Sequence, residues 1–495
     1  MATGTLAQMA LAAVPRRPQM LIGGKWVDSD SGETFATFNP ATGEKLAEVP
    51  RGGTADVDRS VQAAQQAFPA WSRTEARERG KLVARIADKL REHADELGLL
   101  DALDSGNPYK AMKGDAILAA EFLDYFAGLA LEIKGDTIPS PGNTLNFTLR
   151  EPYGVVGRII PFNHPIYFAG GKIGAPLVAG NTVILKPAEQ TPLSALVMGK
   201  LIEGILPPGV LNIVTGDGPL TGETLVRHSG VRKVALTGGV ETGRAVMRNA
   251  ADAIKSVTLE LGGKNPMIVF PDVNLEEAVE SAVAGMNFGW CQGQSCGSTS
   301  RLFLHESIHD SFLEKLVARV RRIKIGSPLA EDTEMGSLIS RDQYDKVMGY
   351  IELGKKEGAR LVTGGKKLAG EEFARGFFVE PTVFDGVSMS MRLAREEIFG
   401  PVLSVLRWSN REQVIAEANQ VVYGLTASIW TNDISLALDT ARRVEAGYVW
   451  INGSSRHFFG APFGGYKQSG LGKEESLEEL LSYTQVKNIN VNVRP

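Results

Sequence analysis

The sequence predicts an α/β protein in which mostly parallel sheets are covered by helices. Short apolar segments, such as Asn181–Leu185, Leu211–Val214 and Lys233–Leu236, are each followed by a turn and a stretch with helical periodicity. This alternation is typical of βαβ units, whose parallel strands are buried on both faces. The chain has 495 residues, which is too long for one compact core and indicates two or three domains.

The N-terminal part before these strands combines short strands with long helices. Gly, Pro and Thr punctuate strand-like pieces over Phe35–Val49. Apolar residues recur at helical spacing over Asp56–Leu103, where we expect a break near Pro69, and a further helix is predicted over Leu118–Leu131.

Two further strands and a second α/β series complete the pattern. Leu145–Arg150 alternates like a strand and leads through a turn to the apolar segment Val155–Ile160. The second series starts near Pro266–Phe270 and runs through Ser300–Leu304 to about Ser469.

The C-terminal tail Thr484–Arg494 also alternates like a strand. A terminal strand of this kind can pair with a sheet edge of another subunit or with an edge of its own chain. The pattern alone does not separate these two alternatives.

Composition argues against several classes of partner. Lys and Arg total 53 and Asp and Glu total 57, so the net charge of −4 offers no basic excess for nucleic acid. No apolar run reaches the roughly 18–20 residues that a membrane helix needs. With two cysteines, Cys291 and Cys296, the chain has no disulfide framework. Arg16 and Arg17 follow the apolar N-terminal stretch, whereas a secretory signal needs its charges first, so residues 1–19 are predicted to be a flexible arm and the protein to be cytoplasmic.

Cys296 is the candidate nucleophile, because Gly293-Gln-Ser-Cys-Gly places its thiol in a polar, glycine-rich stretch. A reachable thiolate attacks an aldehyde carbon, and the resulting thiohemiacetal can lose hydride to a nicotinamide ring. The alternative is a buried structural cysteine.

Glu260 and Asn163 are candidates for the other catalytic roles. Glu260 stands at a predicted strand end before Gly262-Gly263, where a carboxylate with a raised pKa can act as a general base; a surface or ion-paired glutamate is the alternative. Asn163 lies between Pro161 and Pro165, so its amide can donate to a developing oxyanion or cap the following helix.

Three βα turns are candidates for holding a dinucleotide. Backbone N–H groups at such turns and helix starts suit a pyrophosphate, although each segment is also an ordinary βα turn. Gly216, Gly218 and Gly222 have roughly the spacing of a Rossmann turn. The residues singled out in the three turns are Lys186, Glu189, Gly216, Thr237, Gly238 and Gly239.

Taken together, these stretches resemble the aldehyde dehydrogenase superfamily from about Leu21 to Val491. The ordered motifs that carry the resemblance are Pro161–Pro165, Lys186–Pro192, Thr237–Gly239, Leu259–Lys264, Gly293–Cys296, Glu397–Pro401 and Pro462–Lys467.

The resemblance implies an architecture with a Rossmann-like cofactor domain, an α/β catalytic domain and a small β oligomerisation element. The cofactor domain is expected from residues 20–131 and 152–262, and the catalytic domain from 263–470. Residues 132–151 and 484–495 are expected to form the oligomerisation element of a homodimer or homotetramer.

The resemblance also implies a role for each matching residue. Cys296 matches the nucleophile, Glu260 the base that activates water, and Asn163 with the backbone N–H of Cys296 the oxyanion hole. Lys186 and Glu189 match residues that hold the adenosine ribose. Glu397 matches the carboxylate on the nicotinamide ribose, and Phe399 a ring beside the nicotinamide. No metal is implied.

NAD is the expected cofactor, because a carboxylate at Glu189 accepts hydrogen bonds from ribose hydroxyls and repels the 2′-phosphate of NADP. Gly239 departs from the family, which often has Ser there, so use of NADP as well stays open. Glu260 favours water over coenzyme A as acyl acceptor. A coenzyme A-acylating enzyme and a non-catalytic binding protein of the same fold are the alternatives.

The substrate is expected to be an aromatic or bulky aldehyde, because the resemblance places aromatic residues along the substrate tunnel. By resemblance, the residues that line the tunnel are Tyr167, Phe168, Trp290, Arg456, His457 and Phe458, and most of them are aromatic. Arg456 and His457 can instead bind the acidic group of a semialdehyde or a carboxylated aldehyde. His164 stands where the family commonly has an aromatic residue. Cys291 is either an ordinary buried thiol or a partner for a reversible disulfide with Cys296.

Overall fold

The fold is built on two large, mainly parallel sheets. In the computed structural model, the described residues are 6, 8, 9, 12, 14 and 16–492. Most of the arm predicted over residues 1–19 and the last three residues of the tail therefore lie outside the described part of the chain. No helix among the described residues combines the length and apolar character needed to cross a membrane.

The first sheet has eight strands, of which the central five are parallel. Antiparallel strands close both edges. In spatial order the strands are Gly470–Leu471, Ser256–Glu260, Val231–Thr237, Val155–Ile159, Thr182–Lys186, Leu211–Ile213, Met20–Ile22 and Lys25–Val27.

The second sheet has seven strands, and all are parallel except the first pair. In spatial order they are Arg360–Thr363, Thr382–Asp385, Val402–Trp408, Arg301–His305, Pro266–Val269, Thr426–Trp430 and Tyr448–Ile451.

Two small antiparallel sheets complete the strand structure. One pairs Thr34–Phe38 with Lys45–Pro50. In the other, Thr144–Pro152 lies between Thr137–Ile138 and Thr484–Asn492. The tail strand therefore pairs within its own chain, residue Thr484 opposite Pro152 and Asn492 opposite Thr144, and forms one edge of this sheet.

Helices cover both faces of the large sheets and link their strands. Their bounds are Thr54–Arg73, Ala76–Glu92, Ala94–Ser105, Tyr109–Gly128, Pro165–Gly171, Gly174–Val178, Leu193–Leu201, Glu223–Arg227, Val240–Ala251, Leu275–Gly285, Phe288–Cys291, His309–Val320, Arg341–Lys356, Arg392–Arg395, Arg411–Asn419, Ile434–Arg443 and Leu477–Ser482.

The break predicted near Pro69 is in the wrong place. Pro69 lies inside the helix Thr54–Arg73, and the chain leaves helical geometry at Thr74, whose ψ is 135°. Pro69 has no N–H group and removes one hydrogen-bond donor near the end of the helix. The earlier turns remain intact because the N–H groups that hold them belong to residues before Pro69.

The strand Thr182–Lys186 shows why the apolar segments form buried parallel strands. Val183 and Leu185 pack into one core cluster and Ile184 into another, on opposite faces of the sheet. All five residues of this strand are buried. A strand that is covered on both faces needs apolar residues at successive positions, which is the pattern in the sequence.

Candidate active site

The candidate site begins at the carboxyl ends of adjacent parallel strands. Glu260 ends the strand Ser256–Glu260 and lies opposite Thr237, the last residue of its neighbour. Two strands further on, Lys186 ends its strand opposite Ile159. Parallel strands present these ends at one edge of the sheet, where open α/β sheets bind ligands.

Cys296 approaches this edge on a loop of the second large sheet. Asn265 Nδ2 donates to the Cys296 carbonyl oxygen over 2.7 Å and to the Ser298 carbonyl oxygen over 2.9 Å, which holds the loop. A Cβ at Gly263 would lie 2.6 Å from the Cys296 carbonyl oxygen, so glycine is required for this approach. Cys296 is intermediate between buried and exposed, in contrast to the fully buried Cys291, which favours a reachable thiol over a structural one.

The Cys296 thiol and the Glu260 carboxyl group line the same two cavities, which are described below, and each affects the pKa of the other. Burial raises the pKa of Glu260 well above 4.5, and the charge of Glu474 adds to this. Burial likewise raises the pKa of the Cys296 thiol, and the charges of Glu260 and Glu397 add to it. Glu260 Oε1 is buried without a hydrogen-bond partner among the described residues. The pair therefore consists of a thiol and a carboxyl group that is more basic than an ordinary glutamate.

Asn163 is buried beside this pair. Its backbone carbonyl oxygen accepts from Asn107 Nδ2 over 2.8 Å, and its side-chain Oδ1 has no partner in the described part of the chain. The following helix begins at Pro165, has His164 as its N-cap residue and receives no side-chain cap there. Asp101 Oδ2 instead accepts from the Ile166 N–H over 2.8 Å. The structure therefore does not support a helix-capping role for Asn163.

Two cavities, of about 320 and 360 Å³, meet at Cys296 and Glu260. Asn163 and Phe168 also line both. Each cavity thus has access to the thiol from a different side, and we call them the substrate cavity and the cofactor cleft.

The cofactor cleft contains the residues predicted from the first and third βα turns. Lys186 is buried at its strand end, and its Nζ lies 3.7 Å from Glu189 Oε2. Burial lowers the pKa of Lys186, and Glu189 opposes this shift. The Glu189 side chain is 41% exposed and faces the cleft.

Thr237, Gly238 and Gly239 line the same cleft at the start of the helix Val240–Ala251. The Gly238 N–H donates to the Glu260 carbonyl oxygen over 3.0 Å. Gly239 is the N-cap residue and contributes no capping side chain, and a Cβ at this position would have no heavy atom within 4 Å.

The second βα turn brings Gly218 to the cleft but not Gly216, which is absent from the described residues that line it. Gly216 has a φ of +146°, and a Cβ there would collide with the Thr221 side chain. Its contribution is a tight turn. Sequence spacing alone could not distinguish a turn glycine from one that approaches a ligand.

Glu397 and Phe399 close the opposite side of the cofactor cleft. Glu397 Oε1 accepts from the Gly263 N–H over 2.8 Å. Burial raises the pKa of Glu397. Phe399 has a φ of +58°, which is unusual for a residue with a side chain, and its ring meets that of Phe162 edge-on with centroids 5.8 Å apart.

Tyr167, Trp290 and His164 form one wall of the substrate cavity. The buried Asp115 bridges two of them: Oδ2 contacts His164 Nδ1 and Oδ1 accepts from Trp290 Nε1, both over 2.8 Å. Burial by itself would lower the pKa of His164, but Asp115 and Cys291 outweigh it and raise the pKa to about 10. Cys291 is a fully buried free thiol.

Arg456 and His457 lie on the substrate cavity but do not form a free cationic pair. The exposed Arg456 places its guanidinium over the Phe458 ring, 5.1 Å from the centroid. His457 Nδ1 contacts both carboxylate oxygens of Glu475, over 3.0 and 2.9 Å.

Three charged residues at the site were missed by the sequence analysis: Lys172, Glu474 and Glu475. Lys172 Nζ lies 2.9 Å from Glu474 Oε2, and Arg158 donates to Glu474 Oε1 over 3.0 Å. Burial alone would raise the pKa of Glu474, but these two cations outweigh it and lower the pKa to about 2. Lys172 could have been identified from the sequence, because it is the one charged residue in the apolar run Tyr167–Ile173. Glu474 and Glu475 could not, because charged runs such as Lys473–Glu475 usually lie on the solvated surface.

Comparison with known proteins agrees with this geometry. The profile described as "Aldehyde dehydrogenase family" matches residues 26–489. The aldehyde dehydrogenase tropH of Talaromyces stipitatus is 47% identical, over 97% of this chain and 94% of its own length. The hydroxyisobutyraldehyde dehydrogenase of Mycolicibacterium austroafricanum is 46% identical, over 100% and 97% respectively. A solved NAD+ complex of an aldehyde dehydrogenase from Bacillus cereus superposes with a TM-score of 0.94, at 43% identity and 98% coverage of both chains. The chain therefore belongs to the aldehyde dehydrogenase family.

Proposed function

We propose that this enzyme oxidises a bulky or aromatic aldehyde to the free carboxylic acid, with NAD as hydride acceptor. The observation that carries the proposal is the position of Cys296 and Glu260, which both line the two cavities at the point where these meet. An aldehyde in the substrate cavity would meet the Cys296 thiol from one side. A dinucleotide in the cofactor cleft would approach the aldehyde carbon from the other side.

Cys296 attacks the aldehyde carbon and forms a thiohemiacetal. Because the pKa of the thiol is raised, its proton must pass to a neighbouring base, and Glu260 lines the same two cavities. The Asn163 side-chain NH₂ and the Cys296 backbone N–H donate to the developing oxyanion. Such a donor contributes about 10²–10³ in rate.

Bound NAD would supply a hydride acceptor, and loss of hydride from the thiohemiacetal carbon would leave a thioester on Cys296. Glu260, after releasing the first proton to solvent, accepts a proton from the water that attacks this thioester and passes it to the departing Cys296 thiolate. Carboxylic acid is released and the thiol is restored. A coenzyme A-acylating enzyme would not need this base, so Glu260 supports water as the acyl acceptor.

The cofactor cleft has the donor set that NAD requires. The first-turn N–H groups of the helix Val240–Ala251 would bind the pyrophosphate, and the open space at Gly239 would permit its close approach. Glu189 and Lys186 would hold the adenosine ribose, and Glu397 the nicotinamide ribose. The half-exposed Glu189 carboxylate disfavours a 2′-phosphate, which supports NAD over NADP.

The substrate class follows from the walls of the substrate cavity. Phe168, Trp290, Trp450 and Phe463 contribute aromatic rings to this wall, which fit a bulky apolar or aromatic body. An acidic aldehyde is less well matched, because His457 is already engaged by Glu475.

The test is NADH formation from NAD and a panel of aromatic, aliphatic and carboxylated aldehydes, without coenzyme A. We expect turnover in the wild type, highest on aromatic aldehydes, and none in Cys296→Ala. Turnover that depends on coenzyme A would replace the hydrolytic step with acyl transfer. NADH formation at the wild-type rate in Cys296→Ala would overturn the proposal.

A further inference from the structure

Glu475 places a buried carboxylate, without a lysine or arginine partner among the described residues, on the wall of the substrate cavity. The residue is 3% exposed and lines the cavity directly after Glu474. Glu474 is paired with Lys172 and Arg158, whereas Glu475 makes no salt bridge with lysine or arginine among the described residues.

The backbone of Glu475 is held in a conformation that side chains disfavour. Its φ is +65°, in the left-handed region. Two hydrogen bonds maintain it: the Glu475 N–H donates to Glu479 Oε2 over 2.7 Å, and its carbonyl oxygen accepts from the Gly460 N–H over 2.8 Å. Strain of this kind persists where the surroundings enforce it, and it is found preferentially at functional sites.

The carboxylate keeps acceptor capacity after its contacts within the protein. Tyr167 donates its hydroxyl hydrogen to Oε1 over 3.2 Å, and His457 Nδ1 contacts both oxygens. A carboxylate offers about four acceptor positions. Oε2 therefore retains capacity for one more donor, and Tyr167, His457 and Phe463 line the cavity together with Glu475.

We propose that Glu475 determines substrate specificity: it favours aldehydes that carry a hydroxyl group on their body and rejects aldehydes that carry a carboxylate. A substrate hydroxyl donates to the free position on Oε2. A substrate carboxylate would be desolvated next to a like charge, which disfavours its binding. This inference rests on the proposed aldehyde oxidation and narrows its substrate class.

The test compares three benzaldehydes of similar size, substituted with hydroxymethyl, ethyl or carboxylate groups at the meta or para position. In the wild type we expect kcat/KM to fall in the order hydroxymethyl, ethyl, carboxylate. Glu475→Gln should raise the carboxylate-to-ethyl ratio by about tenfold or more and leave activity on the ethyl compound within about threefold. Glu478→Gln, an exposed glutamate in the same segment, is the matched control and should leave all ratios unchanged.

Unchanged ratios in Glu475→Gln would overturn the inference while leaving aldehyde oxidation intact. Absence of NADH from every aldehyde in the wild type would instead overturn the proposed function. If Glu475→Gln does not fold, Glu475→Asn tests the same point, because asparagine tolerates a positive φ and removes the charge. NAD affinity and the melting temperature report whether each variant retains its fold.

Discussion

The role proposed for Glu260 conflicts with its surroundings. A general base acts in the ionised form, whereas burial favours the protonated form and raises the pKa of this carboxyl group well above 4.5. The raised pKa makes Glu260 a stronger base than an ordinary glutamate, and it also moves the pH at which activity is lost to higher values.

We therefore expect the wild-type kcat to fall as the pH is lowered through the raised pKa of Glu260, well above the pH at which an exposed glutamate titrates. In Glu260→Gln this acidic limb should be absent, and kcat should be about 10²–10⁴ lower. Steady-state kinetics from pH 5 to 9, about the range accessible to a folded enzyme, measure both effects.

Single-turnover kinetics separate the two steps in which Glu260 is proposed to act. If its main contribution is to thioester hydrolysis, Glu260→Gln should release one equivalent of NADH in a burst and then stall. Cys296→Ala should give no burst. Wild-type steady-state turnover in Glu260→Gln would contradict the assignment.

At the scale of single residues, the sequence predicted only some members of the candidate site. Cys296, Glu260 and Asn163 could be predicted because each stands in a short, distinctive motif, and the structure brings all three to one point. Glu474 and Glu475 could not, because a charged run beside a glycine reads as solvated surface until the fold turns it inward. The roles of Cys296, Glu260 and Glu475 are proposals that the experiments above address.

At the scale of elements, the parallel strands could be predicted and the partners of the tail could not. Continuous apolar runs such as Thr182–Lys186 are characteristic of strands that are buried on both faces. The tail strand alternates in the same way whichever edge it joins, so only the structure shows that it pairs with Thr144–Pro152. The proposed domain boundaries remain predictions.

The helix Val240–Ala251 supports a prediction at its N-terminus. Gly239, its N-cap residue, has φ −76° and ψ 155°, which serine adopts readily, and a Cβ there meets no heavy atom within 4 Å. Serine at this position would cap the helix and place a hydroxyl beside the proposed pyrophosphate site. We expect Gly239→Ser to tighten NAD binding about two- to tenfold, the equivalent of one net hydrogen bond.

NAD titration followed by calorimetry measures the effect, with Gly239→Ala as the matched control because it adds the Cβ without the hydroxyl. Affinity that is equal in Gly239→Ser and Gly239→Ala would show that the hydroxyl makes no contact with the cofactor.

At the scale of the whole molecule, the three-stranded sheet carries an apolar face that the described part of the chain leaves uncovered. Leu145 lies opposite Val491 and Leu149 opposite Lys487 in the antiparallel pair, so these side chains share one face. Leu145 is 45% exposed, Leu149 41% and Val491 38%. Exposed apolar faces of this kind are usually covered by a partner, and the family resemblance implies a second copy of the chain.

We therefore expect the wild type to be a homodimer or homotetramer, and Leu149→Asp to shift it to a smaller species, because a carboxylate on this face would be desolvated against the partner. Asn488→Asp is the matched control. Asn488 lies opposite Thr148, so this substitution adds the same charge to the opposite face of the same strands. Light scattering at micromolar concentration gives the mass of each variant. If the assembly of Leu149→Asp has the same mass as that of the wild type, this face is not part of the interface. A smaller mass in both variants would place the interface on the edge of the sheet, because a charge on either face would then disturb it.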